Sequence, residues 1–217
     1  MTVAVSDSDV QEFADHCFYM HCVFEYLETL YETSDAADQQ RMHNAAQFFF
    51  ADLKRILIEY ITQQICNITV PPVTNIKGGV AVNHTVAFFV EYSDFGAADA
   101  EFERLKVLRA EMEAFRKKLE PARNKFTAHR DRDAILAGQA LGAAPVEDWA
   151  AFWLHLQEFV EILHRRYIGT GFNIKGPLSD AYALLKALRH GSYFDALSGP
   201  DKDLAKRCLQ VVDLPGL

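Results

Sequence analysis

The sequence predicts an all-α protein built as a helical bundle. Apolar residues recur at steps of three and four along most of the chain, which is the spacing of one helix face. Glycine and proline fall between these stretches, where they end helices. No strong alternation of apolar and polar residues is present, so no strand is predicted.

Length and composition restrict the class of protein. The 217 residues fit one domain, or one domain with a short appendage. Half of the residues are hydrophobic and 16 are Phe, which provides for a sizeable core and excludes wholesale disorder. No apolar run reaches the roughly 20 residues that a bilayer requires, and the start of the chain does not resemble a secretory signal. We therefore expect a cytoplasmic protein without a membrane partner.

The four cysteines are scattered and show no Cys-x-x-Cys spacing. This distribution favours reduced core thiols over a disulfide framework or a zinc site. His16 and His21 do not make a metal site either, because a five-residue step places them about 140° apart around a helix. We interpret both histidines as surface or core residues, and we expect no metal and no cofactor.

The N-terminal half is predicted to hold two long helices and a short one. Ser8 and Gln11 have the spacing of a capping box, and an apolar stripe follows them as far as Tyr31. A second stripe begins at Ala45 and continues through Phe48, Phe49, Leu53, Ile56, Leu57, Tyr60 and Ile61. After an irregular connection that contains Gly78 and Gly79, Asn83 is the predicted N-cap of a helix that ends at Tyr92.

The third apolar stripe is the most regular. It consists of Leu105, Leu108, Met112, Phe115, Leu119, Ala122, Phe126 and His129. Pro121 interrupts the stripe, and a proline there either kinks one helix or takes the first position of a new one. We favour a kink or restart, which places Arg123 in the first turn after the proline.

Two further helices are predicted near the C-terminus. The first begins at Pro145 and ends near Gly169, which is interpreted as a C-cap. The second begins at Ser179 and is closed by Gly191, and a last piece spans 201–212. The predicted organisation is a helical domain over residues 1–171 and a C-terminal helical extension over 172–217 that packs on the same domain.

The formal net charge of −8 is unevenly distributed. Between Arg116 and Arg132 seven Lys or Arg stand against Glu120 and Asp131. A basic island on an acidic protein suits a focused contact with an anion, whereas a solvated basic helix face is the alternative.

Arg123 and His129, separated by five residues, lie inside this island. Their spacing resembles Arg-x(4–6)-His, the signature of the HEPN families, whose members are often metal-independent ribonucleases. About one such pair is expected by chance at this composition, so the context decides. The ending Ala128-His129-Arg130-Asp131 resembles the Ala-His-x-Asp of the AbiU-like HEPN subfamily, named for phage abortive infection. Asn83-His84-Thr85-Val86 resembles the Asn-x-Thr-[Val/Ile] stretch of the same subfamily.

The resemblance extends over roughly Val10 to Tyr167 and implies a HEPN-like bundle that forms a symmetric homodimer. The residue types also suit RNA cleavage, because histidine transfers protons near neutral pH and arginine binds phosphate oxygens. The predicted catalytic residues are therefore Arg123, Asn124 and His129. The predicted substrate-binding residues are Arg116, Lys117, Lys125, Arg130 and Asp131.

The predicted function is metal-independent endoribonuclease activity in phage defence or as the toxin of a toxin–antitoxin pair. The partners would be RNA, a second copy of the chain and a cognate antitoxin protein. One alternative is a non-catalytic HEPN module that binds RNA, a nucleotide or a protein partner. The other is a structural protein in which Arg123 to Asp131 only joins two subunits.

Overall fold

The structure is a computed structural model that describes residues 4–76, 79–96, 98–127, 144–176, 179–197, 201 and 203. Within these ranges the side chains of residues 75, 76, 124–127, 179, 195 and 196 are not described. The described part contains six α-helices and one two-stranded hairpin, which confirms the all-α prediction. The helices are α1 (Asp7–Leu27), α2 (Ala36–Ile68), α3 (Val86–Tyr92), α4 (Ala100–Thr127), α5 (Val146–Tyr167) and α6 (Ser179–Ala196).

The chain forms two compact units. Unit 1 comprises Met1–Phe24 and Ile56–Gly176, and unit 2 comprises Glu25–Arg55 and Pro177–Leu217. The division predicted at residue 171, into a domain and an extension, stays a prediction.

The capping box of helix α1 lies two residues earlier than predicted. Ser6 and Asp9 form the box instead: the Ser6 amide donates to Asp9 Oδ2 at 2.8 Å, and the Asp9 amide donates to Ser6 Oγ at 3.3 Å. Gln11 does not act as the capping residue, because its side-chain Nε2 donates to Asp15 Oδ1 at 3.0 Å. After Leu27 the helix continues as a π-helical segment, Glu28–Glu32.

The apolar stripe predicted for α2 is wrong in its first half. Phe48 is 81% exposed, and Phe49 and Ile56 are exposed as well, whereas Phe50 is buried. The physical reason is that three consecutive phenylalanines lie on different sides of the helix, so apolar spacing alone did not show which side is buried. The backbone of Ala46 is non-helical (φ −163°, ψ 75°), but it precedes all of these residues. Towards the end of α2 the prediction recovers, since Ile61 is fully buried.

The connection predicted as irregular contains a β-hairpin. Strand β1 (Val73–Ile76) pairs antiparallel with β2 (Gly79–Val82), and Val73 lies opposite Val82. Strand β2 is exposed along nearly its whole length, so neither of its faces needs to be apolar. The alternation of apolar and polar residues that marks a half-buried strand is therefore absent. Its side chains therefore carried no strand signal.

Helix α4 confirms the most regular stripe, since all six members with described side chains are buried: Leu105, Leu108, Met112, Phe115, Leu119 and Ala122. Pro121 lies inside this helix and does not start a new one. It removes one backbone donor on an exposed side of the helix. Helix α5 packs against α4, and Arg104 donates to both carboxylate oxygens of Glu158 at 2.7 Å.

Helix α5 begins after Pro145 and ends at Tyr167, near Gly169 as predicted. The φ of Gly169 is +83°, the left-handed conformation that favours glycine. The chain then returns to α1 at Gly176. A Cβ atom at Gly176 would lie 2.3 Å from Cys22 Sγ, so the backbone can approach only because the side chain is absent. In the described part of the chain no helix is long and apolar enough to span a membrane, and Cys17, Cys22 and Cys66 are thiols.

Unit 2 has its own small core of Leu30, Met42, Phe50, Ala181 and Leu185. Buried Asp38 accepts hydrogen bonds from Arg41 at 2.7 Å and from Arg189 Nε at 2.9 Å, and the Arg189 bonds hold its pKa below the ordinary value. The helix that supplies Arg189 continues through Gly191 to Ala196, so the prediction that Gly191 ends it is wrong. The piece predicted over 201–212 lies almost wholly outside the described residues.

Candidate functional site

Unit 1 contains a cleft of about 480 Å³ that includes Arg123. Its polar lining comes from four segments of the chain, and it consists of His16, Asn67, Thr74, Asn83, His84 and Arg123. Its apolar lining consists of Ile68, Val70, Pro71 and Val73. We call this the Arg123 cleft.

Helix α1 contributes one polar face to this region. Asp9, Glu12 and His16 follow one another at steps of three and four, which places them on the same side of the helix. Glu12 interacts with both histidines of the cleft. Its Oε2 lies 3.6 Å from His84 Nδ1, and its charge acts on the pKa of His16.

His84 lies between two residues that are fixed by hydrogen bonds. On one side the Asn83 amide donates to the Pro72 carbonyl at 2.7 Å, which closes the hairpin. On the other side buried Thr85 is the N-cap of α3 and accepts from the Phe88 amide at 3.1 Å. The N-cap is therefore Thr85 and not the predicted Asn83. The Asn83-x-Thr85 pattern thus determines where the residue between them is held.

Asp9 and His84 form a carboxylate–imidazole pair. His84 Nε2 lies 2.9 Å from Asp9 Oδ1. Burial alone would raise the pKa of Asp9, but the hydrogen bonds from Ser6 and the nearby His84 outweigh it and lower the pKa. The carboxylate is therefore ionised at neutral pH. Because a carboxylate only accepts hydrogen bonds, His84 donates through Nε2.

The surroundings of His16 differ from those of His84. Burial lowers the pKa of His16, and a hydrogen bond with Gln64 and the charge of Glu12 oppose this effect only in part. Since the ordinary value is 6.5, His16 is mainly neutral at pH 7. The cleft therefore offers an uncharged imidazole close to a carboxylate-bound one.

Arg123 reaches the cleft from the last turns of α4. Arg116 lies seven residues earlier, about two turns, on the same side of the helix. Burial raises the pKa of the neighbouring Cys66 thiol, whereas the charges of Arg123 and Arg116 act to lower it. Arg116 also donates to Glu120, so part of its charge is already matched.

The predicted site residues are only partly placed. Arg123 lines the cleft, whereas Arg116 and Lys117 are not among the described residues that line it. Asn124 and Lys125 lie in the helical backbone of α4, but their side chains are outside the described set. His129, Arg130 and Asp131 lie outside the described residues. The joint arrangement of the predicted motif stays a prediction.

Sequence reasoning interpreted His16 as a surface or core residue and did not place it in a site, whereas in the structure it lines the Arg123 cleft. It quoted His84 only as part of a family-like stretch and Asp9 not at all as a site residue. The spacing of Asp9, Glu12 and His16 on one helix face was the available signal. Among the described residues no group of three or more His, Cys, Asp and Glu side chains has an arrangement that could hold a metal ion.

Comparison with known proteins identifies the class. A family model for HEPN domains matches residues 9–191. The model carries the description AbiU2, so the chain belongs to the AbiU2 family of HEPN domains. The match confirms the resemblance and extends it from Tyr167, where it was expected to end, through most of α6. Searches of curated proteins and of solved structures returned no match.

Proposed function

We propose that this protein is an endoribonuclease of the HEPN type that cleaves RNA without a metal, in phage defence or as a toxin. The observation that carries the proposal is the Arg123 cleft, where a guanidinium and two imidazoles line one cavity. Family membership supports the same reading, since Arg123 is the arginine of the HEPN-like pair.

The chemistry requires three groups. A base takes the proton from the ribose 2′-OH, an acid protonates the leaving 5′-oxygen, and a cation stabilises the charge on the phosphate. Arg123 is the cation, because its planar fork can bind two phosphate oxygens at once. His129 is the proton-transfer residue of the motif, and Asn124 orients His129 or the phosphate.

The proposed assembly is a symmetric homodimer in which two motifs face each other. One histidine cannot easily act on both sides of an in-line displacement, so a second copy supplies a second His129. Arg116, Lys117, Lys125 and Arg130 guide the RNA backbone, and Asp131 orients a motif side chain. A cognate antitoxin protein is the further partner that we propose.

The alternative function is binding without turnover. Ile68, Val70, Pro71 and Val73 form an apolar wall beside the polar groups of the cleft. A pocket that combines an apolar wall with a few polar groups suits a bound base or nucleotide. In that case the module would bind RNA with strong salt dependence and would leave it intact.

The test is cleavage of a labelled RNA by wild type and by Arg123→Ala in the presence of EDTA. We expect a product with a 2′,3′-cyclic phosphate and a rate that falls about 10²- to 10³-fold in the variant, since a phosphate-stabilising cation is lost. Arg104→Ala is the matched control, because Arg104 pairs with Glu158 and is not among the described lining residues.

Three outcomes would contradict the proposal. They are full activity in Arg123→Ala, an absolute requirement for a divalent metal, and salt-sensitive binding without any product. The last outcome favours the alternative function. Expression toxicity of wild type against His129→Ala in one host tests the toxin role and is expected to disappear in the variant.

A further inference from the structure

We propose that His84 is a catalytic general base of this cleavage and acts from the same protomer as Arg123, with Asp9 fixing its ring. The inference rests on the proposed function, and it adds to the site a residue that lies outside the Arg-x(4–6)-His motif.

The tautomer of His84 carries the first step. Its Nε2 donates to Asp9 Oδ1 at 2.9 Å, so in the neutral ring the lone pair is at Nδ1. Glu12 Oε2 lies 3.6 Å from Nδ1, beyond hydrogen-bond length. The Glu12 side chain is 75% exposed, whereas that of His84 is 32% exposed. A substrate hydroxyl can therefore replace Glu12 at Nδ1.

The charges around His84 fit a base. Asp9 and Glu12 face it from α1, and both carboxylates stabilise the imidazolium that forms when the proton is taken. His16 and Arg123 line the same cleft, and Arg123 binds the phosphate that receives the attack. The side chain is not required to fix the loop, because Asn83 and Thr85 fix it through their own hydrogen bonds.

The step balances as follows. The 2′-oxygen passes its proton to His84 Nδ1 and forms a bond to phosphorus. The bond from phosphorus to the 5′-oxygen breaks, and that oxygen takes a proton from solvent, to which the His84 imidazolium returns the proton that it received. The products are a 2′,3′-cyclic phosphate and a free 5′-hydroxyl, without a further reactant.

The experiment compares RNA cleavage by full-length wild type, His84→Gln and His84→Ala across pH, with RNA binding measured separately. We expect His84→Gln to lose about 10²- to 10⁴-fold in rate and to bind RNA as wild type does. Added imidazole should restore part of the activity of His84→Ala, which a purely structural role would not allow. His155→Gln is the matched control. His155 Nε2 lies 3.2 Å from Glu111 Oε2, and His155 is not among the described residues that line the Arg123 cleft.

The pH profile tests the role of Asp9 as a positioning residue. Asp9→Asn removes the carboxylate that holds the His84 tautomer, so kcat should fall about 10- to 100-fold across the whole pH range while KM stays unchanged. Ser6→Ala is the control for the N-cap, because it breaks the same capping box and leaves the Asp9–His84 pair in place. This variant should keep the wild-type profile.

Each outcome has one meaning. Loss of cleavage in His84→Gln with rescue of His84→Ala supports the inference. Wild-type cleavage that is unchanged in His84→Gln overturns the inference and leaves the proposed function standing. Wild type that does not cleave RNA overturns both.

Discussion

Unit 1 contains two pairs of histidines in contrasting surroundings. The core histidines, His21 and His164, are 5% and 4% exposed. His164 Nδ1 lies 2.8 Å from the Thr170 carbonyl, and the His21 ring meets Trp153 edge-on at 5.0 Å between centroids. The cleft histidines, His16 and His84, lie in a cavity with an arginine. Residue type alone therefore does not separate the two pairs. The cleft histidines differ in that they line a cavity, and His84 also has a carboxylate partner in Asp9.

The largest expected effect on stability concerns His21, whose pKa burial lowers to about 4, with a smaller effect of the charge on Lys175. The unfolded chain binds this proton at about pH 6.5 and the folded chain does not until about pH 4. The free energy of unfolding should thus fall by about 3 kcal/mol as the pH drops through this window. Urea denaturation of wild type and His21→Phe at several pH values measures the difference, and the variant should lack this part of the fall. Parallel curves would show that His21 is not held neutral.

A smaller effect is expected for the second core histidine. His164→Leu removes the bonds to the Thr170 carbonyl and to Gln11 Oε1, so the free energy of unfolding should fall by about 2 kcal/mol. Cleavage by the folded fraction should stay at the wild-type rate. A loss of cleavage as large as in His84→Gln would abolish the distinction between core and cleft histidines.

The smallest effect on stability is expected for His84→Gln. The Asp9–His84 pair is about one-third exposed, and such pairs contribute between about 0 and 1 kcal/mol. The free energy of unfolding should therefore change by less than about 1 kcal/mol while the cleavage rate collapses. Denaturation at neutral pH checks this, and a larger loss of stability would assign His84 to the fold and not to the site.

The helical architecture could be predicted because regular apolar spacing survives wherever the helix is regular, as from Leu105 to Ala122. The prediction of the buried face failed at Phe48 and Phe49, because apolar residues lie on more than one side of α2 there and Phe50 is the one that is buried. The first residue of α1 could not be fixed from the sequence, because two capping patterns overlap there. Ser6-x-x-Asp9 begins two residues before Ser8-x-x-Gln11.

The sequence could indicate only those candidate site residues that lie close to one another along the chain. Arg123 could be found from its spacing to His129 and from the basic residues around it. The presence of His16 and Asp9 near Arg123 could not be predicted, because only folding brings residues of α1 close to the end of α4 and to the loop before α3. His84 could be predicted in part. The family-like pattern includes its neighbours Asn83 and Thr85, and the hydrogen bonds of these two residues fix the position of His84.

The contact between Gly176 and Cys22 has a consequence for evolution. A Cβ at position 176 would need the space that the sulfur occupies, so relatives that carry alanine or a larger residue there should carry a smaller one at position 22. The two positions are expected to vary together across the family even though they lie far apart in the chain. Drift at either one is then limited by the other.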